Sequence, residues 1–187
     1  MIKAGQIEKG MFILIKGDPY IVAEREFINP GKGSAFTRAK LKNLKTGQVL
    51  KPTFKTQETV EEIDVQYVDC QYLYGDSDNY YFMNLETYEQ FPVAKEGLED
   101  KGLYMKEGES YQVTVWEEGP IDILLPYKIV YEVTEAEDAV KGDTVTGASK
   151  IVTVETGLTV KVPIFIKQGE KILVNTETGE YVERVNN

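Results

Sequence analysis

The chain has 187 residues, of which 42% are hydrophobic and 28% are charged, and its net charge is −10. It contains no histidine and a single cysteine, Cys70. These absences exclude Ser-His-Asp and Cys-His catalysis, an internal disulfide, and a zinc site built from cysteine and histidine. The composition therefore favours a binding protein over a hydrolase. The apolar runs are shorter than the ~20 residues that span a bilayer, and the N-terminus lacks a signal peptide, so we expect a cytoplasmic protein without membrane contact.

Strand signals dominate residues 1–64. About five short strands are expected, and the clearest of them are 11–15, 20–27, 35–44 and 49–54. The third of these alternates polar and apolar residues, which is typical of a strand with one solvated face. Turn sequences at 16–19 and 45–48 separate the strands, and the polar segment 56–62 ends the unit. This pattern predicts a small barrel.

Two further groups of strands follow, each typical of a five-stranded OB-like barrel. In the middle group the expected strands are 65–73, 80–84, 88–93, 110–116 and 121–125, with a short helix within 94–102. In the last group they are 128–134, 151–155, 158–163, 171–175 and 180–185. The sequence therefore predicts an all-β chain of three small barrels, with domains at residues 1–64, 65–126 and 127–187.

Charge is unevenly distributed along the chain. Residues 1–64 carry a net charge of +3, residues 65–126 carry −10 and residues 127–187 carry −3. The basic excess is strongest between Arg25 and Lys55, where eight cations face a single carboxylate, Glu26. Two interpretations stay open: contact with a polyanion, or a charged strand face that only water contacts.

The middle unit is rich in aromatic residues that could stack on nucleic-acid bases in an OB-type groove. Its net charge of −10 argues against a nucleic-acid strand there. We therefore expect core packing and cross-strand pairing for these side chains: Tyr72, Tyr74, Tyr80, Tyr81, Phe82, Tyr88 and Phe91.

The most unusual local sequence is residues 28–36, which join two predicted strands in the basic unit. Pro30 fixes its own φ and favours an extended residue before it. Gly31 and Gly33 can adopt positive φ and add no side-chain bulk. The segment predicts a hairpin tip that holds Lys32 outward. A P-loop is excluded because its spacing is absent and no helix follows, while a lysine in an ordinary solvated turn stays open on pattern alone.

The sequence of this loop, Asn-Pro-Gly-Lys-Gly-Ser-Ala-Phe at 29–36, closely resembles the first domain of the elongation factor P family. The resemblance continues in order along the chain, at residues 40–47, 53–55, 72–74, 82–90, 141–144, 160–166, 169–172 and 178–185. It implies three β-barrels, one SH3-like and two OB-like, in an L shape of tRNA-like dimensions. It also implies a non-enzymatic protein without a cofactor that binds the 70S ribosome between the peptidyl and exit tRNA sites. Such a protein relieves stalling at consecutive prolines.

The resemblance assigns roles to particular residues. Lys32 is the expected functional residue of the loop and the expected target of a lysine-modifying enzyme, and its neighbours are expected to contact prolyl peptidyl-tRNA: Pro30, Gly31, Gly33 and Ser34. The basic strand is expected to contact RNA through Arg38, Lys40 and Lys42. A third-domain loop near the exit-site codon is expected to act through Gly142, Asp143, Thr144 and Lys150. The protein is expected to be a monomer.

Two other functions remain open at this point. The third-domain loop departs from the family pattern at 145–152, where paired glycines and a Lys-Pro-Ala run are usual, and this keeps open a paralogue that acts on other stalling motifs. An enzyme that uses Lys32 as nucleophile or base would need that lysine to be buried or beside another cation. A glycine-flanked hairpin tip is exposed, which argues against the enzyme.

Overall fold

The computed structural model describes residues 1–117, 119–137 and 148–186. Seventeen strands in three antiparallel sheets make up nearly all of its regular structure. In the part of the chain described, no helix is long and apolar enough to cross a membrane. The all-β prediction is therefore confirmed.

The first sheet contains seven strands in the order β1-β7-β2-β3-β4-β5, with β6 also paired to β4. The strands are β1 (Ile2–Lys3), β2 (Phe12–Ile15), β3 (Asp18–Ile28), β4 (Phe36–Asn43), β5 (Val49–Leu50), β6 (Thr53–Lys55) and β7 (Thr59–Glu62). A 3-10 helix at Ala4–Gln6 follows β1. The core residues Ile7, Ile13, Val22 and Leu41 are almost completely buried beneath the sheet.

Two features of this sheet differ from the sequence prediction. The expected strand 49–54 is divided into two. β5 pairs with Leu41 and Lys42 near the end of β4, whereas β6 pairs with Phe36 to Arg38 at its start. Pro52, which lies between them, has no N–H to donate to a ladder. The polar segment 56–62, which was expected only to end the unit, also contains a strand. This strand, β7, pairs with β1 and β2 and buries Val60.

The second and third sheets each have five strands, in the orders β10-β9-β8-β11-β12 and β15-β14-β13-β16-β17. The second contains β8 (Gln66–Gly75), β9 (Asn79–Asn84), β10 (Gln90–Ala94), β11 (Ser110–Trp116) and β12 (Gly119–Leu124). The third contains β13 (Lys128–Ala136), β14 (Ser149–Val154), β15 (Thr159–Pro163), β16 (Lys171–Asn175) and β17 (Tyr181–Val185). The short helix expected within 94–102 is a 3-10 helix at Glu99–Tyr104.

The aromatic residues of the second sheet mostly behave as expected. Tyr72 packs edge-on against Tyr80 with 6.1 Å between ring centroids, and Tyr74 stacks on Tyr81 across the strands at 4.7 Å. Phe82 is fully buried beside Phe91. The prediction is wrong for Tyr88, which lies in the turn before β10 with 71% of its surface exposed.

The single cysteine lies in an apolar, aromatic segment, residues 65–74, which predicts a small buried side chain. Cys70 is completely buried in β8. Burial raises the pKa of its thiol to about 11, and the negative charge of Asp69 adds to the shift. The thiol is therefore a packed apolar group rather than a nucleophile.

The described chain forms two compact units. One contains Met1–Asp100 and Ser110–Leu124, and the other contains Lys101–Glu109 and Leu125–Asn187. Within the first unit, a small apolar cluster joins the first two sheets: Phe12, Leu44 and Ile63 are buried, and Trp116 and Ile121 pack against them. The finer division at residues 64 and 126 stays a prediction.

We predict that this cluster holds the first two sheets together. Leu44→Ala should lower the free energy of unfolding by about 2–4 kcal/mol, because it removes a buried side chain and leaves a cavity. Leu50→Ala, at a site in the same sheet where leucine is 40% exposed, should cost less than about 1 kcal/mol. Urea unfolding followed by the fluorescence of the chain's single tryptophan, Trp116, measures both variants. If both variants lose the same free energy of unfolding, Leu44 is not part of a core that the two sheets share.

Candidate functional site: an exposed lysine loop on a long hairpin

The lysine loop closes the longest hairpin of the first sheet. Strands β3 and β4 pair from Tyr20 with Asn43 to Ile28 with Phe36. Residues 29–35 form the connecting loop, and Lys32 is its central residue. The structure therefore brings the five predicted loop residues together. Four of them are exposed and one is half-buried: Gly31, Lys32, Gly33 and Ser34 are exposed, and Pro30 is half-buried.

The β3 side of the hairpin's outer half is open to solvent, whereas β6 pairs with the same stretch of β4. A β-bulge between Val22 and Glu24 shifts the register of β3 against β4. Beyond it, residues 24–27 are all exposed, so both faces of the strand are open to solvent. Strand β2 pairs only with the first part of β3, from Asp18 to Ile21. The hairpin tip thus extends past the buried part of the sheet.

The two glycines beside Lys32 have different backbone conformations. Gly33 has φ of +100°, in the region that favours glycine, whereas Gly31 is outside it. A Cβ atom added to either residue would meet no heavy atom within 4 Å. Only Gly33 therefore needs to be glycine for the loop's own geometry. The open space at both positions lets another molecule approach the backbone closely.

One side chain that sequence reasoning missed fixes the base of the loop. The Thr56 hydroxyl donates a hydrogen bond to the carbonyl oxygen of Ala35 at 2.7 Å, and the Thr56 N–H points to the same oxygen at 3.4 Å. Thr56 is 21 residues from Ala35 in sequence. Only the pairing of β6 with β4 brings them together, so no local signal in the sequence could have identified this contact.

The predicted basic strand, β4, alternates buried residues with more exposed ones, as expected. Its cations have partners within the chain. Arg38 lies over the Phe36 ring, 5.5 Å from the centroid. The Lys40 ammonium is 3.3 Å from a carboxylate oxygen of Glu24. Lys42 is 3.2 Å from a carboxylate oxygen of Asp100, in the segment after β10. Both carboxylates lie outside residues 25–55, the range in which the sequence shows eight cations and one carboxylate. Ion pairing therefore neutralises more of the positive charge than the sequence suggests.

Two of these cations, Arg38 and Lys40, line a shallow cleft of about 280 Å³ on the hairpin, and Lys42 lies outside it. Its walls contain four cations, two carboxylates and one small apolar residue: Arg25, Arg38, Lys40, Lys51, Glu24, Glu26 and Ala39. Exposed ion pairs contribute only about 0–1 kcal/mol. An approaching phosphate can therefore replace Glu24 as the partner of Lys40 at little cost.

The third-domain loop is only partly described. Gly142, Asp143 and Thr144 lie outside the described residues. Lys150 lies in β14, and its ammonium donates a hydrogen bond to the carbonyl oxygen of Glu137 at 2.7 Å. The contacts expected for this loop stay predictions.

Comparison with known proteins places this architecture among translation factors built from small β-domains. Three family models match in succession: the elongation factor P KOW-like domain at residues 3–60, the elongation factor P OB domain at 65–123, and the elongation factor P C-terminal region at 129–184. The chain belongs to the elongation factor P family.

Full-length relatives agree with these models. Elongation factor P of Treponema denticola is 54% identical over 186 residues, which cover 100% of both chains. Elongation factor P of Borrelia hermsii is 56% identical over 187 residues, which cover 98% of this chain and 97% of the relative. A solved structure titled eukaryotic translation initiation factor 5A from Methanococcus jannaschii aligns with 66% of this chain and 92% of its own, with a TM-score of 0.47 and 22% identity.

We predict that the two loop glycines respond differently to the same substitution. Gly33→Ala forces a Cβ into a left-handed conformation, so it should lower the free energy of unfolding by about 1 kcal/mol. Gly31→Ala, with equal space and no positive φ, should change it by less than about 0.5 kcal/mol. Urea unfolding of the two variants is the measurement. The loop geometry is wrong if Gly31→Ala costs as much as Gly33→Ala.

Proposed function

We propose that the protein binds the ribosome between the peptidyl and exit tRNA sites and stimulates peptide bond formation at consecutive prolines. The Lys32 loop positions the acceptor end of the peptidyl-tRNA, and the bond-forming chemistry remains ribosomal. The observation that carries this proposal is the exposed lysine at the tip of a projecting hairpin, with open space at the glycines on either side.

The geometry suits positioning rather than catalysis by the chain itself. Proline reacts slowly because its ring restricts both the donor and the acceptor. A factor that holds the peptidyl-tRNA end in a reactive orientation lowers the barrier without taking part in the bond changes. Lys32 is exposed, which supports a non-enzymatic role because a lysine nucleophile is activated by burial or by a neighbouring cation. Membership of a family of translation factors supports the same assignment.

The partners follow from this assignment. The ribosome and prolyl peptidyl-tRNA contact the first sheet, with the loop on the acceptor end and the outer face of the hairpin on RNA phosphates. A lysine-modifying enzyme extends Lys32, for which the free ammonium at an open tip is a suitable substrate. The protein acts as a monomer in the cytoplasm, where translation takes place.

We predict that Lys32→Ala abolishes the rescue of polyproline synthesis and leaves the fold intact, because an exposed tip side chain contributes little to stability. The assay is in vitro synthesis of a Pro-Pro-Pro reporter with purified protein. Lys16→Ala is the matched control, since Lys16 is an exposed lysine at the hairpin turn between β2 and β3 of the same sheet. It should rescue as the parent does.

Three further results make this test decisive. Rescue by Lys32→Ala equal to that of the parent would refute the proposal. Rescue by the parent on other stalling motifs but not on polyproline would favour the paralogue. Lys32→Arg keeps the charge but cannot accept an extension on an amine, so its activity shows whether bare charge is enough or whether modification is required.

The outer face of the hairpin should contribute salt-dependent affinity. We predict that the double variant Arg38→Glu, Lys40→Glu weakens ribosome binding and lowers the slope of log K against log salt by about two units, because two phosphate contacts are lost. The control is Lys3→Glu, Lys16→Glu, which makes the same change in net charge on exposed residues of the same sheet. If both doubles weaken binding equally, the effect is one of overall charge and the contact is absent.

A further inference from the structure

In the described parts of the chain, the same turn follows one strand of each of the three sheets. Its first residue is the asparagine that ends β4, β9 or β16: Asn43, Asn84 or Asn175. In each turn the asparagine Oδ1 accepts hydrogen bonds from the backbone N–H groups two and three residues further on. The distances are 2.8 and 3.1 Å, 2.8 and 3.2 Å, and 2.9 and 3.2 Å. The three turns therefore have one local backbone structure, in which the threonine at the fourth position also takes part.

The fifth position of this turn has a left-handed backbone in all three copies. Its φ is +78° at Gly47, +61° at Tyr88 and +77° at Gly179, and in each case its N–H donates to the carbonyl oxygen of the asparagine at 2.8 Å. Glycine adopts this conformation readily, whereas a residue with a Cβ pays a steric cost. Tyr88 is therefore the one large side chain placed where the turn itself favours glycine.

The two glycine copies pack against other parts of the chain. A Cβ at Gly47 would lie 3.1 Å from the Cα of Gly97, in the same compact unit. A Cβ at Gly179 would lie 2.9 Å from the Tyr104 hydroxyl, also within its own unit. In both copies the fifth residue of the turn is thus a docking point, and its lack of a side chain permits the close approach.

The middle copy has the same shape, but its fifth residue is mostly exposed among the described residues. Tyr88 is 71% exposed, and none of the aromatic or cation–π pairs among the described residues includes its ring. Residues 85–90 are exposed without interruption. The steric cost at Tyr88 is therefore not offset by packing within the described chain, and a conformation of this kind often marks a contact site.

The charge around this turn indicates what kind of surface would contact it. Tyr88 lies between two exposed carboxylates, Glu86 and Glu89. Residues 65–126 as a whole carry 3 Lys+Arg and 13 Asp+Glu, for a net charge of −10. An RNA backbone would be repelled there. An arginine- or lysine-bearing protein surface would be attracted, and a guanidinium or ammonium can also lie on the face of a tyrosine ring.

We infer that the turn from Asn84 to Glu89 is a contact site for a basic protein surface of the ribosome, with Tyr88 as its anchor. Tyrosine is enriched among the residues that dominate protein interfaces. The inference rests on the proposed binding to the ribosome, and it adds a protein contact on the acidic sheet to the RNA contacts proposed for the basic one.

Binding and stability of one variant test the role of Tyr88. Tyr88→Gly should resist urea at least as well as the parent, because glycine suits the left-handed position, yet it should bind 70S ribosomes about tenfold more weakly at constant salt. A purely structural tyrosine would give the reverse result, with lower stability and unchanged affinity. The control is Tyr127→Ala, since Tyr127 is 76% exposed and outside the turn, and its affinity should equal that of the parent. Equal affinity for Tyr88→Gly and the parent, or equal weakening in both variants, would overturn the inference.

Cross-linking identifies the partner class. A photoreactive benzoylphenylalanine placed at position 88 should attach, on irradiation with 70S ribosomes, to a ribosomal protein at a peptide rich in arginine and lysine. Attachment to ribosomal or transfer RNA, or no attachment while the protein remains bound, would overturn the inference and leave the proposed function standing. If the parent itself does not bind ribosomes in the same assay, the proposed function fails and this inference fails with it.

Discussion

The pairing of β3 with β4 is the interaction on which the proposed function depends most directly. Eleven residues of β3 run antiparallel to eight of β4, and the ladder continues to Ile28 and Phe36, directly beneath the loop. In the outer part, residues 24–27 of β3 are exposed and are held mainly by backbone pairing, whereas β4 is also held by β6 and buries Thr37 completely. A lysine on a free loop would sample many positions. Ladder pairing restricts Lys32 to the end of a stiff ribbon, and the Thr56 hydrogen bond to Ala35 fixes the strand that leaves the loop.

The ribbon can position its tip only if its own base is fixed, and the apolar cluster shared by the first two sheets provides this. Leu44 lies directly after β4, so its burial beside Phe12 and Trp116 ties the hairpin to both sheets. The Lys42–Asp100 pair joins the same two regions on the surface. The Lys42 side chain is 24% exposed and the Asp100 side chain is 66% exposed. Because solvent screens the pair, it contributes little to stability. Apolar burial is therefore the main attachment between the two sheets.

The sequence was sufficient to predict the three groups of strands, the hairpin turn at 45–48, the burial of Cys70 and the lysine loop. Each of these depends on local chemistry: alternation, turn residues or an apolar neighbourhood. The strands β1 and β7 were missed because two and four residues are too few to show a period of two, and they form only where β1, β7 and β2 meet. The partners of Lys40 and Lys42 were missed for the same reason, since Glu24 and Asp100 reach them only through the tertiary structure. Tyr88 was assigned to the core because composition cannot show a backbone φ.

The two sheets of the first compact unit differ in net charge as clearly as they differ in fold. Residues 1–64 carry +3 and residues 65–126 carry −10, so an RNA surface is attracted to one sheet and repelled by the other. A uniformly basic protein would bind RNA in many orientations, most of which would not bring Lys32 to the peptidyl-tRNA. In the proposed complex the acidic sheet would disfavour those orientations by repulsion, at ranges up to a Debye length of about 8 Å at physiological salt. The negative charge of the chain therefore does not conflict with the proposed contact with RNA, because it would restrict that contact to the sheet that carries the loop.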